Sequence, residues 1–258
     1  MLIAIDMGNT NIVAGCLNDD NEIIFTERFS TNLKKSELEY AMIIKTILEL
    51  HEVERKEIDG AIIASVVPPL IHVIKSALRK LLNCEPLVIG AGLKTGLNIH
   101  LDDPSTLGAD LVVDSVAAMN IYGAPVIVID MGTATTMTVI DRDRTYIGGA
   151  IFPGVNVSVE ALAAGTSLLP RVSLGAPKKQ IATNTMDAIK SGILFGEASR
   201  LDGMIDRFEA ELGYSTTVVA TGGLSSLIIP YCRHKVITDP NLMLRGLKII
   251  YDKNKRSE

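Results

Sequence analysis

Two short segments of the sequence carry residue types that bind anions. In each, an aliphatic run ends in Asp-Met-Gly, at Asp6–Gly8 and at Asp130–Gly132. Glycine directly after a buried strand lets backbone N–H groups approach a ligand closely, because no Cβ is in the way. Further donors follow at Asn9, Thr10 and Asn11 and at Thr133, Thr135 and Thr136. Because consecutive N–H and O–H donors form an anion site, both segments are predicted to bind phosphate.

The carboxylates that precede these glycines are expected to bind a cation. Asp6 and Asp130 would repel a phosphate unless a cation lay between them, so magnesium or a monovalent ion is expected beside them. Asp and Gly are also common in ordinary turns, which is the alternative explanation for a single copy. Two copies that are followed by similar polar residues favour the phosphate site.

The two segments belong to an internal repeat. Residues 2–11 align with residues 126–135, and each copy continues as strand, tight turn, strand, polar turn, strand. Further strands are predicted at Gly60–Val67, Pro86–Ile89 and Thr217–Thr221. Helices are predicted at Ser36–Glu52, Pro69–Leu82, Thr185–Leu212 (one long helix or two) and Asn241–Tyr251, and Ser36 and Glu39 have the spacing of a capping box.

These elements predict an α/β chain built from two similar domains. We place the N-terminal domain at 1–117 and the C-terminal domain at 118–258. Two such halves usually leave a cleft, and ligands bind at strand ends in sheets of this kind. The duplicated turns are therefore expected to face each other across an inter-domain cleft.

Charge and hydropathy exclude some partners. The net charge is −5, and basic residues cluster only in the tail Lys253–Arg256, so no nucleic-acid partner is expected. The longest apolar run, Ala61–Ile71, is far shorter than the roughly 20 residues that span a bilayer. The first residues lack the basic leader of a signal peptide. We expect a cytoplasmic protein with no membrane partner.

An ordered set of motifs gives the chain a family resemblance. It resembles type III pantothenate kinases, which belong to the superfamily of acetate and sugar kinases, heat-shock chaperones and actin. The motifs are Asp6-Met-Gly-Asn-Thr10, Ser65-Val-Val-Pro-Pro69, Lys94-Thr-Gly-Leu-Asn98, Gly108-Ala-Asp110, Asp130-Met-Gly-Thr-Ala-Thr135, Gly148-Gly-Ala-Ile-Phe-Pro-Gly154, Asn184-Thr185 and Thr221-Gly-Gly223.

The resemblance implies a fold, a reaction and a set of site residues. It implies two actin-like (ribonuclease H-like) domains, a homodimer, and ATP-dependent phosphorylation of pantothenate to 4′-phosphopantothenate, the first step of coenzyme A synthesis. Mg²⁺ would bind with ATP near Asp6, and K⁺ or NH₄⁺ would bind at Asp130. The ATP residues would be Asp6, Met7, Gly8, Asn9, Thr10, Asn11, Ile12, Val13 and Thr133, with Thr221–Gly223 near the adenosine. The substrate residues would be Leu101, Gly108, Ala109, Asp110, Leu111 and Thr185, with Asp110 as the catalytic base.

Asp110 also has an interpretation that does not depend on the family. It opens an apolar helix that contains Leu111, Val112, Ala117 and Ala118. A carboxylate there can accept the proton of a hydroxyl group that attacks the γ-phosphoryl group of ATP in line. The alternative is an Asp in the first turn that only complements the helix dipole.

Two departures from the family pattern leave other functions open. Leu111 stands where the family usually has an Arg that helps hold the pantothenate carboxylate, and Leu101 stands where a substrate-contacting Tyr is expected. Leu offers no hydrogen-bond donor. One alternative is a related kinase with another acceptor or a regulatory role. Another is an actin-like filament or chaperone ATPase, although the chain is short for these proteins.

Overall fold

The computed structural model describes residues 1–255, which fold into two compact units. Unit 1 contains Met1–Leu97, Asp103–Ala117 and the C-terminal segment from Leu242. Unit 2 contains Asn98–Asp102 and Ala118–Asn241. The sequence-based division after residue 117 differs from these units in two places, because it assigns the C-terminal helix to the second half and residues 98–102 to the first.

The strands form one sheet in each unit. The five-stranded sheet of unit 1 has the order β3-β2-β1-β4-β5, and the six-stranded sheet of unit 2 has the order β11-β10-β7-β8-β9-β6. The strands are β1 (Leu2–Met7), β2 (Asn11–Leu17), β3 (Ile23–Ser30), β4 (Gly60–Ser65), β5 (Leu87–Val88), β6 (Asn98–Ile99), β7 (Val126–Met131), β8 (Ala134–Ile140), β9 (Thr145–Pro153), β10 (Thr217–Thr221) and β11 (Ile237–Thr238).

Seven α-helices accompany the strands within residues 1–255. They are α1 (Glu37–Leu50), α2 (Pro68–Leu81), α3 (Ala109–Ile121), α4 (Val155–Ala164), α5 (Thr185–Leu212), α6 (Ser225–Ile228) and α7 (Leu242–Asn254). The capping box of α1 is confirmed, since Glu39 N donates to Ser36 Oγ and Ser36 N donates to the Glu39 carboxylate. The question of one or two helices over 185–212 is settled in favour of a single helix, α5.

The duplication predicted from the sequence is present in the structure. Strands β1 and β7 have the same order of buried and half-buried residues, and so do β2 and β8. In both sheets the first strand of the repeat pairs antiparallel with the next strand and parallel with a later one, β4 or β10. The two units are therefore α/β domains of the same topology, to which unit 2 adds β6 at one edge.

Helix α7 joins unit 1 because two glycines let it approach the sheet. A Cβ on Gly15 of β2 would lie 2.5 Å from Leu244 Cδ1, and a Cβ on Gly60 of β4 would overlap the Tyr251 ring. Side chains alternate between the faces of a strand. The neighbours of these glycines, such as Cys16 and Ala61, pack in the core under α1 and α2. Helix α7 therefore covers the opposite face.

Membrane-spanning helices are not found in the described part of the chain. None of the helices within residues 1–255 combines the length and the apolar composition that crossing a bilayer requires. Helix α5 is long enough, with 28 residues, but it carries charged residues throughout its length.

Candidate functional site

The first predicted phosphate turn connects β1 with β2 in unit 1. Gly8 N donates to Asn11 O at 3.0 Å and closes the turn. Thr31, which follows β3, holds the turn from outside: its hydroxyl donates to Gly8 O at 2.6 Å, and its N–H donates to Thr10 O at 3.0 Å. The Asn9 and Thr10 side chains are exposed at the tip. The turn thus has a fixed backbone and exposed polar side chains.

The predicted ATP residues of this turn do not all offer side chains. Met7 and Ile12 are fully buried in the core of unit 1, so they can reach a nucleotide only through main-chain atoms. Asp6, Asn11 and Val13 are half-buried. Asp6 faces Val13 across the β1–β2 pair, directly before the turn. The donors available here are backbone N–H groups and the exposed Asn9 and Thr10.

The second turn, between β7 and β8 in unit 2, is one residue shorter. Met131 pairs with Thr135, whereas the equivalent Met7 pairs with Ile12. The turn closes through Gly132 N, which donates to Ala134 O at 3.0 Å. Thr133 lies exposed at its tip. Thr133 is therefore placed like Asn9 in the first turn, as the repeat predicts.

Thr135 does not face a ligand, and its assignment as a phosphate donor is wrong. The side chain is fully buried, and its hydroxyl donates to Glu197 Oε1 of α5 at 3.3 Å. The shorter turn explains the difference, because the shift by one residue puts Thr135 opposite Met131 and on the core side of β8. The sequence alignment carried no gap and could not show this shift.

Asp130 lies at the end of β7, beside the end of β10. Thr221 is its partner in the parallel register, and Gly222 follows with φ of +88°. A Cβ on Gly222 would lie 2.6 Å from Asp130 Oδ1 and 2.6 Å from Met131 N. Glycine therefore lets the end of β10 pack against the Asp130 carboxylate and the Met131 backbone, where a side chain would overlap both. A carboxylate oxygen is the type of donor that hard cations bind, so the residues present fit a cation here.

Asp110 is in the first turn of α3 in unit 1, as expected. It is half-buried, and its Oδ1 accepts a hydrogen bond from Leu111 N at 2.9 Å. The carboxylate also folds back over Gly108, because a Cβ on Gly108 would overlap Asp110 Oδ1. The glycine before the helix therefore leaves the space that this rotamer of Asp110 occupies.

The predicted acceptor residues belong to both units. Gly108, Ala109, Asp110 and Leu111 are consecutive at the start of α3, and the Leu111 side chain is half-buried. Leu101 belongs to unit 2, where its Cδ2 lies 4.0 Å from the position of a Cβ on Gly148. Thr185 is the exposed first residue of α5, after the N-cap Asn184, which accepts from Asp187 N at 2.9 Å.

Sequence reasoning missed two residues that shape the turns. Thr31 lies outside every motif, and only its position just after the third strand of the repeat hints at a role. Gly154, the last residue of the Gly148–Gly154 motif, precedes α4, and a Cβ there would lie 2.7 Å from Gly132 O and overlap Thr133 O. Helix α4, which begins directly after Gly154, was not predicted.

Comparison with known proteins places the chain in a family. A family profile described as type III pantothenate kinase matches residues 2–207. The type III pantothenate kinase of Halalkalibacterium halodurans is 41% identical over 254 residues, which cover 98% of this chain and 100% of the relative. The relative from a Geobacillus species with the same description is 42% identical and covers 98% of both chains.

A solved structure has the same fold at low identity. The ROK family glucokinase from Streptomyces griseus, in complex with glucose and AMPPNP, aligns with a TM-score of 0.53 over 97% of this chain and 98% of its own. The identity is 14%, so the likeness concerns the two-domain actin-like fold alone. With the profile match and relatives above 40% identity over nearly the whole length, the chain belongs to the type III pantothenate kinase family.

Proposed function

We propose that this chain transfers the γ-phosphoryl group of ATP to the 4′-hydroxyl group of pantothenate, the first step of coenzyme A synthesis. The observation that carries the proposal is the pair of closed turns after β1 and β7, each preceded by a half-buried Asp and tipped by exposed polar side chains. Full-length similarity to type III pantothenate kinases supports the choice of reaction and acceptor.

Each turn has a separate part in this proposal. Backbone N–H groups and the Asn9 and Thr10 side chains bind phosphate oxygens at the first turn, and Thr133 does so at the second. Thr221–Gly223 lie at the end of β10 and are proposed to border the adenosine.

Asp110 is the proposed general base. The carboxylate accepts the proton of the 4′-hydroxyl group as the oxygen attacks phosphorus, a role that contributes about 10²–10⁴-fold in rate. Its position in the first turn of α3 is also favourable for the helix dipole, and both roles can hold together. Gly108, Ala109, Leu111, Leu101 and Thr185 are the proposed neighbours of pantothenate.

Two cations complete the proposal. Mg²⁺ would accompany ATP near Asp6, and K⁺ or NH₄⁺ would bind at Asp130, whose carboxylate lies next to Gly222. These cations supply positive charge that offsets the charge on the phosphates.

A homodimer in the cytoplasm is the proposed state of the protein. Several large apolar side chains of unit 2 are exposed, among them Ile151, Leu168 and Ile181, and their burial against a second copy would stabilise a dimer. The cytoplasm is proposed because the reaction consumes ATP. Light scattering at assay concentration tests the dimer, and a monomer mass would contradict it.

Product analysis tests the reaction. The purified protein is incubated with ATP, Mg²⁺ and K⁺, with and without pantothenate, and the product is identified by mass spectrometry. Pantothenate-dependent formation of 4′-phosphopantothenate is expected, with a lower rate when Na⁺ replaces K⁺. ATP binding without a phosphorylated product would exclude the proposed acceptor.

A related kinase with another acceptor is the second candidate, and Leu111 is the observation that favours it. Its half-buried side chain stands at the start of α3 and has no donor for a carboxylate. Leu111→Arg separates the two candidates. If pantothenate is the acceptor and this position faces its carboxylate, KM for pantothenate falls, whereas an unchanged KM means that the carboxylate is held elsewhere.

A further inference from the structure

A buried charged group in unit 2 has no part in the reaction described so far. Glu197 lies in the middle of α5 and is only 7% exposed. Its Oε1 accepts a hydrogen bond from the hydroxyl group of the buried Thr135, and its Oε2 forms an ion pair with Arg200. The neighbours on the same helix, Leu194 and Leu201, are buried apolar residues. The carboxylate therefore lies next to apolar residues of the buried face of α5.

Arg200 extends this contact to the end of β9. Its Nη2 donates to Pro153 O at 3.4 Å, and its guanidinium carbon lies 4.5 Å from the centre of the Phe152 ring. Phe152 is also the register partner of Thr135 across β8 and β9. Glu197 and Arg200 together thus connect α5 with both strands, β8 through Thr135 and β9 through Phe152 and Pro153.

The end of β9 leads directly to the second turn. Gly154 follows Pro153 and packs so closely on the turn that a Cβ would overlap Thr133 O and lie 2.7 Å from Gly132 O. Thr135 follows Thr133 by two residues on the other side of the turn. The turn at Gly132–Thr133 is consequently flanked by Thr135, which contacts Glu197, and by Gly154, whose neighbour Pro153 accepts from Arg200.

The carboxylate of this pair is buried, whereas the Arg200 side chain is 29% exposed. A buried ion pair commonly stabilises a fold no better than apolar residues of the same volume, because desolvation offsets the attraction. A charged pair adds geometric specificity, because the carboxylate and the guanidinium restrict the angles and distances of the hydrogen bonds to their partners. A catalytic turn gains from this, because a displacement of about 1 Å can reduce a rate by about 10²-fold.

We propose that Glu197 and Arg200 are positioning residues that set the Gly132–Thr133 turn for the phosphates of ATP. The proposal rests on the proposed function, in which this turn binds phosphate. Neither residue touches the nucleotide. They act through Thr135 on one side of the turn and through Pro153 and Gly154 on the other.

Glu197→Gln tests the role of the charge at almost constant volume. The amide still accepts from Thr135, but it no longer attracts Arg200, so the end of β9 loses its fixed position. KM for ATP is expected to rise at least about tenfold, as for a misplaced phosphate ligand. KM for pantothenate should stay within about twofold, because the predicted acceptor residues do not contact the pair.

Thr135→Val supplies a second variant that should fold even if Glu197→Gln does not. It keeps the shape of the side chain and the Glu197–Arg200 pair, and removes only the hydroxyl group. KM for ATP should rise in the same direction by a smaller factor. An unchanged KM for ATP in this variant would contradict the proposal that Glu197 positions the turn through Thr135.

Asp202→Asn is the matched control. Asp202 lies on the same helix and is similarly buried, at 8% exposed, but it accepts from Arg233 N and His234 N, away from the turn. Its replacement should lower the melting temperature and leave KM for ATP unchanged. A purely structural role of Glu197 would give Glu197→Gln this same result, and that result would overturn the proposal.

The wild-type protein separates this proposal from the proposed function. If it releases no ADP with pantothenate, the proposed acceptor fails, but the dissociation constant of ATP still tests the pair by calorimetry. Weaker ATP binding in Glu197→Gln than in Asp202→Asn would then support the positioning role, and equal binding would overturn it.

Discussion

The position of Asp110 is compatible with two roles of a carboxylate, stabilisation of the helix dipole and general-base catalysis. The helix dipole favours any acidic residue in the first turn of α3, whatever its rotamer. A general base has to point in one direction. Gly108 bears on this choice, because the Asp110 carboxylate occupies the space that a side chain at residue 108 would take. Gly108 therefore permits this direction of the carboxylate, in which Oδ1 accepts from Leu111 N.

Gly108→Ala tests whether this direction is used. The added methyl group overlaps Asp110 Oδ1 and forces the carboxylate to another rotamer, so kcat should fall by about 10²-fold, as for a catalytic group that moves by about 1 Å. Steady-state kinetics check this, with the melting temperature as a measure of folding. Normal kcat in a folded Gly108→Ala protein would show that the rotamer is not important.

A substitution of Gly222 provides the equivalent test at Asp130. Gly222→Ala places a Cβ 2.6 Å from Asp130 Oδ1 and strains a backbone with φ of +88°. We expect the K⁺ concentration for half-maximal activity to rise about tenfold, because the methyl group crowds the oxygen that would hold the ion.

Gly213→Ala is the control for backbone strain. Gly213 ends α5 with φ of +73°, and a Cβ there would meet no atom within 4 Å. Gly213→Ala should lose stability by about 1–2 kcal/mol, the usual cost of a left-handed conformation for a residue with a Cβ. Gly222→Ala should lose more, because its Cβ also meets the Met131 backbone N at 2.6 Å. Only Gly222→Ala should change the K⁺ dependence. The same K⁺ dependence in both variants would argue against a cation at Asp130.

At the scale of the element, α1 shows which features the sequence reveals well. Its start is set by a local hydrogen-bond pattern between Ser36 and Glu39 that can be read directly from the spacing. Ser36→Ala removes the side-chain cap and should lower the free energy of unfolding by about 1 kcal/mol. Because α1 lies outside the proposed site, kcat and KM should not change. Chemical denaturation and kinetics together check this, and a change in kcat would contradict the separation of α1 from the site.

Elements that depend on distant contacts were not predicted. Helix α4 has no side chain that caps its first turn, and its start is fixed by the contact of Gly154 with the second turn. The strands β6 and β11 have two residues each, too few for a periodic pattern. The equally short β5 was predicted only as part of the apolar run Pro86–Ile89. The repeated strands were predicted because their burial on both faces gives continuous apolar runs. Local and periodic signals thus account for what the sequence revealed.

At the candidate site, too, only residues with a local or periodic signal could be predicted from the sequence. Asp6, Gly8, Asp110 and Asp130 could be proposed as site residues because each stands at the boundary of a strong apolar pattern. The burial of Thr135 could not, because it follows from a turn that is one residue shorter than its repeat. The role of Thr31 also escaped prediction, since its two hydrogen bonds join segments that are far apart in the sequence.

At the scale of the whole molecule, three cysteines report on the folding of both units. Burial raises the pKa of Cys16 in unit 1 to about 11 and that of Cys232 in unit 2 to about 12, and it also raises the pKa of Cys84. A thiol reacts as the thiolate, so a raised pKa slows its reaction at pH 8. The associated stability is present below the unfolded pKa of about 8.5 and is lost as the pH rises towards the folded values.

Alkylation of each cysteine, followed by mass spectrometry, measures this protection. At pH 8 the folded protein should react far more slowly than the unfolded chain at all three positions. Increasing denaturant should expose Cys16 and Cys84 together, because both lie in unit 1. Rapid alkylation of Cys16 in the native protein would contradict the packing of β2 in the core.

The central claim is that this protein phosphorylates pantothenate with Asp110 as the base. The most direct measurement is ADP release with ATP, Mg²⁺ and K⁺, with and without pantothenate, for the wild type and for Asp110→Asn. The account predicts strong stimulation by pantothenate in the wild type, and a loss of kcat of about 10²-fold or more in Asp110→Asn with ATP affinity kept. Near-normal turnover of Asp110→Asn, or no stimulation of the wild type, would contradict it.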